Sequence, residues 1–279
     1  MGDVTRMLKS AKAKKNVLIA AHRGTCGGNV VQNTTLAYEN ALQHGADMIE
    51  IDVIMSKDGK FFAFHDGQEK VVFGTNQKIC EMTTKEIQER NCYNQAGDMT
   101  KQKIEKLEDI LKHFENRCLI NIDRSWFYWK EMIQFLNERD MQEQIILKSP
   151  PDEALLQQLE RQGPNIMYMP ILKDNEAWQR ANQYNVNIVA VEIIFEKLDS
   201  PIIASDFMRG FHKSGILTWA NAITLNDEVT LTGLLDDNHA ILDGYDENWG
   251  KLVEMGFDII QTDWPALLNQ YILAKRKGE

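Results

Sequence analysis

The chain has 279 residues with ordinary charged and apolar fractions, enough for one large domain with an ample core or for two small ones. Its net charge of −10 excludes a surface built for nucleic acid or anionic membrane, so any bound phosphate must meet a local cation. No apolar run approaches the roughly 20 residues of a membrane span.

Four cysteines, Cys26, Cys80, Cys92 and Cys118, fall in no zinc spacing. They read as reduced, mostly buried thiols, which suits a reducing compartment, and a cytoplasmic location is expected. The basic N-terminus has no apolar signal core, and Thr5 stands one place short of the N-myristoylation pattern after Gly2. An exported protein supplied without its signal peptide would read the same.

Residues 4–15 read as a short amphipathic helix. VLIAA (17–21) is a continuous apolar run, as expected of a strand buried on both faces, and His22-Arg23-Gly24 follows at its end. Asn33 or Thr34 is placed to cap the helix TLAYENALQH, and Gly45 stands where a glycine closes it. The strand DMIEIDV comes next. Residues i and i+2 of a strand share a face, so Glu50 and Asp52 aim their carboxylates at one spot.

Asp58-Gly59 between two apolar runs is a hairpin signal. As a two-residue loop it sets Lys57 against Lys60 and, counting back, Asp52 against His65, with Cβ atoms about 5 Å apart. Residues 67–105 are polar and short of apolar periodicity, apart from the capping box at Thr83 and Glu86, and read as an insertion.

Beyond it, strands and helices alternate. Strands are expected at CLINID, QIILKS, IMYMP, NIVAVEI, GILTWAN and FDIIQTD, with helices between them. With the first two strands this makes eight β/α repeats, which implies parallel strands with right-handed crossovers. The expected fold is a single (β/α)8 TIM barrel over residues 1–279, with the small insertion after its second strand. An open doubly wound sheet is the alternative, but no GxGxxG or P-loop follows any strand.

Active sites of such barrels lie at the C-terminal strand ends. Here those ends carry His22-Arg23, Glu50 and Asp52, Asp123, Lys148, Glu192, Trp219 with Asn221, and Thr262-Asp263. Three carboxylates without a nearby thiolate favour Mg²⁺ or Ca²⁺ over zinc. Arg23 and Lys148 supply positive charge for an anionic substrate, and two imidazoles suit general acid–base work near neutral pH. Together with such a cation they fit cleavage of a phosphoester. Lys148 also has a Schiff-base reading, Glu192 either contacts a substrate hydroxyl or bridges to a basic neighbour, and Trp219 either walls the pocket or packs. Asp263 is expected to cap the helix after Trp264-Pro265. His44, His113, His212 and His239 are expected to be solvated, without carboxylate partners.

As a set, His22-Arg23-Gly24, Asn33-Thr34, Glu50-x-Asp52, Asp58-Gly59 with His65-Asp66, the NID strand, Trp219-x-Asn221 and GFDIIQTDWP resemble the glycerophosphodiester phosphodiesterase family, from about Val17 to Leu268. The resemblance implies a barrel with an insertion after the second strand and hydrolysis of a small-molecule phosphodiester to glycerol 3-phosphate and an alcohol. It implies Glu50, Asp52 and Asp123 as metal ligands, His22 and His65 as the acid–base pair, and Arg23 as a phosphate contact.

The chain departs from the family pattern at Gln32 (usually Glu), at Asp123 (usually Glu) and at Ser125 (usually Lys). Lys148 stands one strand on, as in a subgroup resembling bacterial opine-sugar phosphodiesterases. Sugar phosphodiesters as substrates, a cyclic phosphate product, and a non-catalytic phosphoester-binding protein are the alternatives. Retention of both histidines argues against the last.

Overall fold

Eight apolar runs of the sequence lie side by side as the parallel strands of a closed barrel in a computed structural model that describes residues 6–139, 141, 143–226 and 228–278. A helix α1 (Arg6–Lys14) precedes β1 (Leu18–His22), α2 (Thr35–Gln43) and β2 (Met48–Met55). Residues 4–5 of the expected first helix lie outside the described residues. The hairpin strand β3 (Phe61–Ala63), the short helices α3 (Glu69–Phe73) and α4 (Thr84–Glu89), and α5 (Leu107–His113) come next. The regular alternation then runs β4 (Leu119–Asp123), α6 (Trp129–Asn137), β5 (Ile145–Ser149), α7 (Glu153–Gln162), β6 (Met167–Leu172), α8 (Asn175–Ala181) and β7 (Ala190–Ile193). It ends with α9 (Ser205–Lys213), β8 (Leu217–Asn221), α10 (Asp237–Asp243), α11 (Lys251–Glu254), β9 (Ile259–Thr262) and α12 (Pro265–Gly278).

The strand order is β1-β9-β8-β7-β6-β5-β4-β2, and a β1–β2 pairing closes the ring. Eight parallel strands closed on themselves and ringed by helices form the (β/α)8 barrel, and the open-sheet alternative falls away. The third barrel strand is β4, because β3 pairs antiparallel with β2 outside the ring.

Inward side chains in the N-terminal halves of the strands build an apolar floor of Leu18, Met48, Leu119, Ile146, Met167 and Ile259. Helix α1 closes this end: Leu8 is fully buried in the same cluster, and Lys12 and Lys15 pair with Asp258 at 2.7 Å and Asp47 at 2.9 Å. Outward strand residues pack against the helices in two further clusters. Burying one such Leu, Ile or Phe contributes about 1.5–3 kcal/mol.

The hairpin differs from the two-residue expectation by one position. Val53 pairs with Ala63 and Met55 with Phe61, which leaves Lys57, Asp58 and Gly59 as a three-residue loop with Gly59 at φ 79°. Three-residue hairpins commonly place a left-handed residue, best a glycine, at the last loop position. Asp52 therefore stands opposite Phe64, whose N–H donates to its carbonyl at 3.0 Å, and not opposite His65.

Residues 67–105 have a small core of their own, with Val72, Phe73, Ile79, Met82, Ile87 and Ile104 packed on Ile54 and Phe62. These apolar residues are spread over short elements, which is why no period shows. The capping box at Thr83 is present. Of the four free cysteines only Cys92 and Cys118 are buried; Cys26 is half-buried and Cys80 exposed, so the expectation of mostly buried thiols holds for half of them.

Candidate active site

The registers of β1, β2 and β4 gather the charged residues at the mouth. Glu50 lies between His22 on β1 and Asn121 on β4, and Asp52 lies beside Asp123. His22, Glu50 and Asp52 each offer a ligand atom within 4.8 Å of the others. Glu50 is fully buried and Asp52 nearly so.

The turn after β1 braces both acids. Arg23 takes a left-handed conformation (φ 55°), donating its N–H to Glu50 Oε2 at 3.0 Å while its Nε lies 2.8 Å from Asp52 Oδ2. A non-glycine residue held there costs on the order of 1–3 kcal/mol and persists only where its surroundings enforce it. Gly24 follows at φ 75°, where a Cβ would stand 2.6 Å from the Ala37 backbone, so the turn packs directly on α2.

Asn33, at φ 56°, donates its amide to Asp52 Oδ2 at 3.0 Å. Its carbonyl oxygen accepts from the Asp52 N–H and the Tyr38 hydroxyl. Thr34 is the cap of α2, its hydroxyl accepting from Ala37 N. Asn33 thus braces β2 at Asp52 and leaves the capping to its neighbour. The 67–105 segment supports this turn, with Gln102 accepting from Val31 N and Asn94 donating to Asn29.

Their surroundings push the two acids in opposite directions. Burial, reinforced by Asp52 and Asp123, pushes the Glu50 carboxyl well above its usual range despite Lys148 and Arg23. Burial alone would also raise Asp52, but Arg23, both imidazoles and the Asn33 amide hold it below its usual range. Among the described residues, the buried Glu50 Oε1 has no hydrogen-bond partner. A carboxyl with a free oxygen, crowded by two more carboxylates, fits a hard cation bound by oxygen ligands.

Asp123 is tied on its outer side. Its Oδ2 lies 2.8 Å from Lys148 Nζ and its Oδ1 accepts from Arg124 N at 2.6 Å. Lys148 is buried and also reaches Glu192 Oε2 at 3.1 Å, while Glu192 Oε1 accepts from Asn221 at 3.1 Å. Burial would depress the Lys148 ammonium, yet Asp123, Glu192 and Glu50 outweigh it and hold it above its usual range. A lysine held charged is unsuited to Schiff-base chemistry. Glu192 is the bridge to a basic neighbour. Trp219 is fully buried among the floor residues, its ring 5.7 Å from Lys148 Nζ, and stands beneath the charged layer rather than at the rim.

His22 Nδ1 lies 2.7 Å from Asp263 Oδ1. Asp263 thus reaches across to β1, and Trp264 N donates to Thr262 Oγ1 at 2.9 Å. Asp263 N donates to Asp237 Oδ2 at 2.8 Å, and the buried Asp237 also accepts from Thr262 and Trp249. His65, past the end of β3, lies with Nδ1 2.6 Å from the Asp66 carbonyl oxygen. Burial lowers its pKa, partly offset by the Asp52 charge, and Arg23 and Arg124 lower it further. Strand alternation does not reach it; the turn carries it to the mouth.

His113, His212 and His239 do have carboxylate partners, contrary to expectation: Glu39 at 2.6 Å, Asp258 at 3.1 Å and Asp236 at 2.9 Å. Those acids are distant in sequence or on another element, except Asp236, the cap of α10. Sequence reasoning also missed Asp237 and Arg124. Only the strand-end position of Arg124, directly after Asp123, was a signal for it.

Residues 22–267 match the model of the glycerophosphoryl diester phosphodiesterase family. A glycerophosphodiester phosphodiesterase of Bacillus altitudinis is 38% identical over 113 residues, which cover 38% of this chain and 44% of that protein. A crystal structure of a glycerophosphoryl diester phosphodiesterase from Parabacteroides distasonis superposes with a TM-score of 0.78 at 19% identity, covering 94% of this chain and 87% of that one. A phosphodiesterase of Oleispira antarctica, solved with the product sn-glycerol-3-phosphate, superposes at 0.66 and 17% identity, covering 92% and 96%.

Proposed function

The chain belongs to the glycerophosphoryl diester phosphodiesterase family, and from that premise we propose that it hydrolyses glycerophosphodiesters to glycerol 3-phosphate and an alcohol, using one divalent cation, Mg²⁺ or Ca²⁺. The observation that carries this reading is the buried Glu50 with its unpartnered Oε1, set among His22, Asp52 and Asp123. Glu50, Asp52 and Asp123 would hold the cation. When bound, it draws charge from the phosphoryl oxygens and offsets the acids. The product held by the Oleispira antarctica structure supports the choice of substrate class.

With Nδ1–H donated to Asp263, His22 presents Nε2 as the base that takes the proton of the attacking hydroxyl, from water or from the substrate's glycerol 2-hydroxyl. As the new P–O bond forms and the bond to the alcohol breaks, His65 gives a proton to the departing alkoxide. The outer nitrogens of the Arg23 guanidinium contact the phosphate. Attack by the internal hydroxyl passes through a cyclic phosphate, which water then opens. A sugar phosphodiester is the second reading, favoured by Lys148 standing beside Asp123 from β5.

Release of glycerol 3-phosphate from a panel of glycerophosphodiesters, with and without EDTA, tests the proposal, and phosphorus NMR of early samples reports any cyclic product. Activity abolished by EDTA and restored by Mg²⁺ or Ca²⁺ is expected. Activity indifferent to EDTA contradicts the cation, and tight binding without turnover contradicts catalysis.

A further inference from the structure

Arg124 lies directly after Asp123 at the end of β4 and takes a left-handed conformation, φ 57°. An arginine gains nothing from that conformation by itself, so the surroundings hold it there. Its N–H is committed to Asp123 Oδ1 at 2.6 Å, which turns the chain at the rim of the mouth. The side chain runs towards the hairpin turn, with NH2 3.6 Å from Asp66 Oδ2, beyond hydrogen-bonding distance. The guanidinium carbon stands 5.3 Å from the centre of the Phe127 ring, and among the described residues the buried Nε has no hydrogen-bond partner. Its charge is felt by His65.

The other cations at the mouth are more closely engaged. Arg23 Nε lies 2.8 Å from Asp52, and Lys148 lies between Asp123 and Glu192. Among the described residues Arg124 has only a loose pair with the half-exposed Asp66 and the Phe127 ring, so the outer nitrogens of its guanidinium are open to an incoming anion. Through Asp66 it borders the turn that carries His65, the group assigned to the departing alcohol. The exposed Phe127 is an aromatic surface of the kind a quaternary ammonium would use, but Arg124 already stands over it.

We propose that Arg124 is a specificity-determining residue that faces the alcohol moiety of the substrate and selects alcohols bearing an anionic group over purely cationic ones. This rests on the phosphodiesterase reading above, with His65 on the leaving-group side. An anion there would receive the guanidinium fork, whereas a lone ammonium would meet like charge.

Glycerophosphoserine and glycerophosphoethanolamine make the matched pair, since the serine alcohol is ethanolamine with a carboxylate added. The reading is kcat/KM for each, in the wild type and in Arg124→Gln and Arg124→Lys variants shown to be folded by thermal melts. The wild type is expected to prefer the serine diester by about tenfold, the size of one charge-assisted hydrogen bond at a partly exposed site. The preference should vanish in Arg124→Gln and survive in part in Arg124→Lys. A wild type without that preference, or an Arg124→Gln variant that keeps it, overturns the proposal. Should Arg124→Gln turn over neither diester, Arg124→Lys decides: a retained preference supports the assignment and a lost one overturns it. A wild type that cleaves no glycerophosphodiester overturns the functional reading itself, a result distinct from cleavage without discrimination.

Discussion

The two sides of the barrel mouth hold their imidazoles by different means. On the β1–β9 side, His22 ends a regular strand, and its Nδ1 meets a carboxylate 241 residues away in sequence. That carboxylate is itself anchored, because the Asp263 N–H bonds to Asp237, which is gripped in turn by Thr262 and Trp249. On the hairpin side, His65 lies past its strand and bonds the carbonyl of the very next residue. An anchored carboxylate favours Nδ1–H, leaves Nε2 as acceptor, and stabilises the imidazolium that forms on proton uptake. A local carbonyl fixes the tautomer but offers no full charge. The side backed by a carboxylate suits the base, and the side with burial and two nearby arginines suits a group that gives its proton up.

The largest expected effects separate the two histidines. Replacing either His22 or His65 by Ala should lower kcat by about 10²–10⁴ on a natural diester. The variants should part on a glycerol diester carrying p-nitrophenol: His65→Ala recovers most of its rate because that leaving group departs unaided, while His22→Ala does not. Equal recovery would erase the distinction drawn between the two sides.

Lys148 lies beneath both sides, and its loss should not discriminate between them. Lys148→Met leaves the buried Glu192 and the half-buried Asp123 without their counter-charge, and urea unfolding should show a loss of about 3–5 kcal/mol. A loss below about 1 kcal/mol would mean that those carboxyls take up protons freely and that the lysine is not their main support.

A smaller effect belongs to the His22 side alone. Burial first, then the Asp263 charge, pushes the Asp237 carboxyl up to about 8, against the pull of its three donors. A folded-state value raised above the unfolded one gives stability that is present at low pH and is lost as pH rises through the folded value. Between the two values, the Asp237 contribution falls by about 1.4 kcal/mol per pH unit. Urea melts of the wild type and Asp237→Asn at several pH values below 8 should differ in slope by that amount. Parallel slopes would show that Asp237 is already ionised in the folded protein.

The contrast between the sides also explains what was legible in the sequence. Period-two alternation placed Glu50 and Asp52 on one face because β2 is regular and buried, and eight alternating segments were enough to expect the barrel. The hairpin register was off by one residue because Asp58-Gly59 serves two- and three-residue loops alike, and the left-handed Gly59 belongs to the longer one here. His65 reaches the mouth all the same, through a turn that no periodicity describes. Asp263 beside Trp264-Pro265 has the form of a helix cap, and nothing local tells that its carboxylate crosses to β1. Such pairings exist only once the ring closes.

The acids of β2 are proposed to hold one hard cation between the two imidazoles. Titration of Mn²⁺ into the purified protein, followed by electron paramagnetic resonance, tests it without recourse to turnover. A single tight site is expected in the wild type and is lost in Glu50→Gln, with the variant still folded. Undiminished Mn²⁺ binding by Glu50→Gln would contradict it.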